Sequence, residues 1–166
     1  MHGPLWQGQG PAMKLPLVLD PDPRLLVEST PIDITNIPKE TGFANNLIET
    51  MIAENGIGIS APQVGRNVRI IAVFTSQSDA KHGIPPTVMF NPEITYFSDK
   101  KIVFDEGCLS FPGESCKVTR SSLIRVKFFD SNANLRHNTY IGITAICIQH
   151  EIDHLDGITM KMRSNL

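Results

Sequence analysis

Ile143-Thr144-Ala145-Ile146-Cys147-Ile148-Gln149-His150-Glu151-Ile152-Asp153-His154-Leu155 is the stretch on which the fold turns. Ile146, Cys147, His150 and His154 recur at helical spacing, and Gly157 follows where a helix would stop. Two histidines four apart project from one face, about 5–6 Å apart at Cβ, so both imidazoles reach one metal ion while Glu151 stands beside it. The apolar run from Ala145 to Ile148 sends this helix into the interior. Two unpaired imidazoles and a carboxylate there would be costly, and a bound cation removes that cost.

A two-histidine helix needs a third ligand. Residues 155–166 contain neither histidine nor glutamate, so it must come from upstream. Cys108, in Glu106-Gly107-Cys108-Leu109-Ser110, is the leading choice, because Gly107 lets the backbone approach another group closely. Cys116 and Cys147 compete with it. Cys147 lies three residues before His150, a place better suited to lining a pocket, and Cys116 falls in what reads as a polar loop. A Cys-His-His set leaves one position for water, as in catalytic rather than structural sites. A dication lowers the pKa of its water to about 7, and Glu151 can then serve as general base and acid. Ferrous iron, zinc, cobalt and nickel all suit these donors.

A third segment, Gly56-Ile57-Gly58-Ile59-Ser60-Ala61-Pro62-Gln63, reads most simply as a helix cap and a turn. Its two close glycines also allow backbone groups to meet an extended peptide, and Gln63 offers an NH₂ donor. With no lysine after it and no strand before it, it makes a poor phosphate cradle.

Around these segments the pattern predicts a helix over 41–55, where Phe43, Leu47, Ile48, Met51 and Ile52 recur at three and four, with Gly56 as the left-handed cap. A short turn is expected at Arg24 to Leu26, after the prolines at 21 and 23. Strands are expected at Val68 to Phe74, Thr87 to Asn91, Ile94 to Phe97, Ile102 to Asp105 and Leu123 to Asp130. The fold class is α+β: short antiparallel or mixed strands packed around a central C-terminal metal-binding helix, with one long N-terminal helix.

The 166 residues suit a single catalytic domain over 13–166. Residues 1–12, rich in Gly, Pro and Gln, read as a flexible tail or an expression remnant, with Met13 as a second start. A net charge of −2 gives no basic field for phosphates, so nucleic acid is not an expected partner. Three cysteines fit a reduced, cytoplasmic setting, and no stretch is apolar for long enough to span a membrane.

The three segments together resemble peptide deformylase, whose motifs are a glycine-rich run ending in glutamine, a Glu-Gly-Cys-Leu-Ser run and a His-Glu-x-x-His helix, here in that order. The likeness spans about residues 15–162 and includes Arg120 and Ala145 to Gln149. It implies a hydrolase that removes the formyl group from the N-terminal formylmethionine of nascent polypeptides, in bacteria or organelles, with the ribosome as a place of encounter. It implies Cys108, His150 and His154 as ligands of ferrous iron, which zinc, nickel or cobalt can replace, and Glu151 as catalytic acid/base. Gln63 and the Leu109 amide would stabilise the oxyanion. Ile57, Phe104, Ile146 and Cys147 would receive the methionine side chain, Gly56 to Gly58 would pair with the substrate backbone, and Glu106 and Gly107 complete the substrate-facing set. A monomer is expected.

The glycine segment departs from the family pattern, with Ile59 and Ser60 in place of the usual leucine and first alanine. The stretch Glu114-Ser115-Cys116 lacks an arginine that some members place near the peptide. The chain leaves no room for the extra C-terminal helix of many bacterial members. Two rival functions use the same residues: an N-terminus-binding protein with weak or no turnover, and a zinc endopeptidase. The second lacks the further histidine or glutamate that such peptidases place beyond the helix.

Overall fold

The computed structural model describes residues 12–75 and 81–164. The tail expected at 1–12 therefore lies, except for Ala12, outside the described residues.

Helix α1 spans Thr41–Ala53 and buries Ala44, Leu47, Ile48 and Met51, the apolar positions spaced at three and four. It is shorter than the pattern predicts. The left-handed position falls to Asn55, φ 59°, rather than to Gly56, whose N–H instead donates to the Met51 carbonyl at 2.8 Å. Asparagine tolerates that region better than most residues with a Cβ.

Seven strands follow among the described residues: β1 Gly58–Ser60, β2 Ile70–Val73, β3 Thr87–Phe97, β4 Lys101–Gly107, β5 Ser115–Ser121, β6 Leu123–Phe129 and β7 Leu135–Ile141. Five form a sheet in the order β1-β2-β3-β6-β7, and β4 pairs with β5 separately. Every one of these strand pairings is antiparallel. The two strands expected at 87–91 and 94–97 are one, because the chain passes Asn91 and Pro92 through a register shift instead of a turn. Cys116 belongs to β5, not to a loop.

Side-chain alternation sends the apolar residues of β2 to both faces of the large sheet. Ile70 and Ala72 join the core under α1, and Ile71 and Val73 join a second core on the other side. That second core holds Ala145, Ile148, Ile152 and Leu155 of helix α2, Gly142–Leu155. The sheet is therefore covered by one helix on each face, which is why all of β2 is buried. Gly157, at φ 71°, turns the chain beyond α2 as expected; an added Cβ there would meet the Leu26 carbonyl oxygen at 2.6 Å. A short helix α3, Met160–Ser164, then packs against β5, so a small helical segment does follow the histidine helix.

Candidate metal centre and cleft

Ala145 through Leu155 are all buried, including five polar residues that each need a partner. Gln149 satisfies its amide on the backbone of Ser121, accepting at 3.3 Å and donating at 2.9 Å, which ties α2 to the end of β5. Asp153 accepts from Arg120 Nη1 at 2.8 Å and from both Nε and Nη2 of Arg163. His150 Nδ1 lies 2.8 Å from Glu106 Oε1, so its other nitrogen is left for the interior. Within this stretch, the buried Glu151 Oε1 and His154 Nδ1 have no hydrogen-bond partner.

The β4–β5 hairpin brings the third group. Its register sets Glu106 opposite Cys116 and Phe104 opposite Val118, so Glu106 points inward and the chain turns immediately after Gly107. Cys108 begins that turn, which is closed by the Phe111 N–H donating to the Cys108 carbonyl at 3.0 Å. Ligand atoms of Cys108, His150 and His154 all lie within 4.8 Å of one another, and Cys108 Sγ is 3.2 Å from His154 Nε2. Bond lengths of about 2.3 Å to sulfur and about 2.0–2.1 Å to imidazole, at a tetrahedral angle, separate S from N by about 3.5 Å. The three residues thus fit one divalent ion. Neither Cys116 nor Cys147 enters the group.

The electrostatics ask for positive charge at this point. Burial opposes a charged His150, yet the Cys108 sulfur, Glu106 and Glu151 raise it to about 10 in the metal-free protein. His154 moves the other way, held well below its usual value by burial, His150 and Arg120, and keeps its lone pair. Burial would also raise Glu106, but hydrogen bonds from His150 and Arg120 hold it below the ordinary carboxylate range.

A cleft of about 510 Å³ opens beside these groups. Ile57, Phe104, Ile146 and Cys147 line it, as does Ile143, which the sequence reading did not single out. Burial, with Glu151 nearby, keeps the Cys147 thiol well above its usual pKa, so it remains a small neutral wall. Gly58 is required where the cleft floor crosses α2: an added Cβ would stand 2.6 Å from Cys147 Sγ and 2.9 Å from Glu151 Oε2. Gly56 approaches the Leu109 side chain from the other wall, so the turn carrying Leu109 rests against the lead-in to β1. Glu106 also borders the cleft, with its carboxylate accepting from Nε and Nη2 of Arg120 and paired with His150 Nδ1. A second cavity, about 650 Å³, runs beside Gln149, Ile152 and Asp153 of α2 and Asp156 just after it, and is lined by none of Cys108, His150 and His154.

Gln63 lies in the 3₁₀ turn after β1, with its Nε2 3.6 Å from Cys108 Sγ and 3.3 Å from Ser110 Oγ. The partners Arg120, Asp153 and Ser110 were not assigned roles from sequence. Arg120 carried a usable signal: it shares the inward face of β5 with Val118, and a buried guanidinium requires anions.

A buried helix with two histidines and a glutamate, closed by a cysteine from a separate hairpin, defines a mononuclear metallohydrolase. The family model for polypeptide deformylase matches residues 14–165. The chain is 37% identical over 144 residues to a peptide deformylase of Psychrobacter arcticus, covering 87% of this chain and 76% of that one. Over 145 residues it is 37% identical to that of Brucella suis, covering 86% and 80%. Among solved structures, a Met-Ala-Ser-bound class I type b peptide deformylase from Acinetobacter baumannii superposes with a TM-score of 0.85 at 31% identity, covering 92% of this chain and 99% of that one. The Thermotoga maritima peptide deformylase gives 0.80 at 30% identity, covering 90% and 97%. The chain belongs to the polypeptide deformylase family, a metal-dependent one, and neither rival function is favoured by these likenesses.

Proposed function

We propose that this chain hydrolyses the formyl group from the N-terminal formylmethionine of nascent polypeptides. The observation that carries the proposal is the meeting of Cys108, His150 and His154, with unpartnered Glu151 beside them, at the wall of an apolar cleft.

Cys108, His150 and His154 would hold one divalent ion, ferrous in the cell, with zinc, nickel or cobalt able to replace it. When bound, the ion supplies Lewis acidity toward the formyl oxygen and an activated water. Glu151 manages the proton. In the metal-free protein burial lifts its carboxyl to about 7, while His150 pulls it down and Glu106 pushes it up; beside the cation it serves as general base and then general acid. The water oxygen bonds to the formyl carbon as a proton passes to Glu151. The C–N bond then breaks as Glu151 returns that proton to the methionine nitrogen, and formate leaves. The Gln63 NH₂ and the Leu109 N–H donate to the oxyanion formed between these steps.

The methionine side chain fills the space between Ile57, Phe104, Ile146 and Cys147. Strand β1 is terminal in its sheet, so the extended substrate pairs along Gly56 to Gly58 as a further strand. A family member solved with Met-Ala-Ser bound supports a peptide of this kind. We infer a monomeric, cytoplasmic enzyme of residues 13–166 that meets its substrates as they leave the ribosome; no helix among the described residues is long and apolar enough to cross a membrane.

The test is an anaerobic formate-release assay on formyl-Met-Ala, with an internal peptide bond as the competing substrate and binding measured on the same sample. Formate from the first and no cleavage of the second is expected. Binding without formate, or cleavage of the internal bond, would overturn the proposal.

A further inference from the structure

Ser60 is fully buried on β1, between Ile59 and Ala61, themselves fully buried, where a hydroxyl is out of place unless it is used. Its Oγ donates to Gln63 Oε1 at 3.1 Å, and its backbone N–H donates to the same oxygen at 2.9 Å. One residue therefore occupies the oxygen end of the Gln63 amide with two donors. The other end is turned toward Cys108 Sγ and Ser110 Oγ.

Rotating the amide by half a turn would set NH₂ against the Ser60 N–H, donor against donor. It would also set Oε1 against the electron-rich sulfur of Cys108. The backbone N–H alone selects the observed orientation, and the hydroxyl deepens that selection. Two donors on Oε1 also polarise the amide and make its N–H groups stronger donors.

We propose that Ser60, through its hydroxyl, is a positioning residue for the reaction: it fixes and polarises the Gln63 amide so that the NH₂ faces the developing oxyanion. The inference rests on the role given to Gln63 under the proposed function. It concerns a position where this chain carries serine and the motif it resembles has alanine.

Ser60→Ala keeps the backbone donor and removes only the hydroxyl. In the metal-loaded enzyme it should lower kcat about three- to tenfold, the scale of one net hydrogen bond, with KM within about twofold. The same substitution made in a Gln63→Ala background should change kcat no further. In metal-free protein labelled with ¹⁵N-glutamine, the Gln63 side-chain NH₂ pair, assigned by its loss in Gln63→Ala, should shift and exchange faster with water in Ser60→Ala. Ser60→Cys, nearly isosteric with a weak donor, should fall between the two and serves if the alanine variant does not fold.

An unchanged kcat together with an unmoved Gln63 resonance would overturn the inference. So would an equal loss of kcat in the Gln63→Ala background, which would mark Ser60 as merely structural. If the parent protein releases no formate, the proposed function fails, and the Gln63 resonance alone decides whether Ser60 holds the amide.

Discussion

Glu106 Oε1 lies 2.8 Å from His150 Nδ1 across 44 residues of sequence, and the same carboxylate is gripped by Nε and Nη2 of Arg120. Both Glu106 and Arg120 are about 95% buried. The pairing fixes which nitrogen of His150 faces the cysteine and ties the β4–β5 hairpin to α2. Arg120 then continues to Asp153, and Asp153 to Arg163. His150 is therefore braced through a chain of charges that ends in α3.

Truncating Glu106 to alanine should leave Arg120 buried with only Asp153 as its anion, and His150 free to rotate. Unfolding free energy should fall by about 3–5 kcal/mol. Metal affinity should fall about 10- to 100-fold, as for other partners of metal-bound histidines. Urea unfolding of the metal-free protein measures the first and competitive chelator titration the second; an unchanged midpoint and affinity would contradict this account of the brace.

Glu151→Gln keeps the shape and removes the proton acceptor. Formate release should drop at least about 10²–10⁴-fold while bound metal stays near one equivalent, because Glu151 is not a ligand. Metal analysis and turnover on the same preparation check this. An active variant would remove Glu151 from the mechanism.

Gly58→Ala introduces a Cβ that must displace either Cys147 Sγ or Glu151 Oε2, the second of which belongs to the proton-transfer group. The expected result is a folded, metal-binding protein with kcat/KM lowered by about two orders of magnitude, the scale of an ångström's misplacement at a reacting group. Steady-state kinetics beside a metal assay and circular dichroism would show it. Activity within a few-fold of the parent would mean that the cleft floor yields more readily than its contacts imply.

Local signals were legible in the sequence and distant pairings were not. The helix carrying Cys147, His150 and His154 declares itself because its period is written within a dozen residues. β1 is only three residues long and begins on the second of two close glycines, so it reads as a turn. β7 is an edge strand with almost every residue exposed, and hydrophobic alternation is absent from it. The polar residues of β5, Ser115, Lys117 and Thr119, alternate with inward Cys116, Val118 and Arg120, and a charged residue in that inward row disguises the pattern. Motif chemistry and resemblance pointed to Cys108, His150 and His154, which the fold brings together. The orienting partners, Glu106 for His150 and Ser60 for Gln63, depend on register and packing. Ser60 is only three residues from Gln63 and its two donors set which way the amide turns, but the groups that the NH₂ then meets, Cys108 and Ser110, lie more than forty residues away.

The most direct test of the metal centre is X-ray absorption at the metal edge of protein purified without oxygen, compared with Cys108→Ala. The account predicts about one metal per chain, with one sulfur at about 2.3 Å and two imidazoles at about 2.0–2.1 Å, and loss of the sulfur shell and most of the metal in the variant. A parent spectrum with no sulfur neighbour, or full metal occupancy in Cys108→Ala, would contradict it.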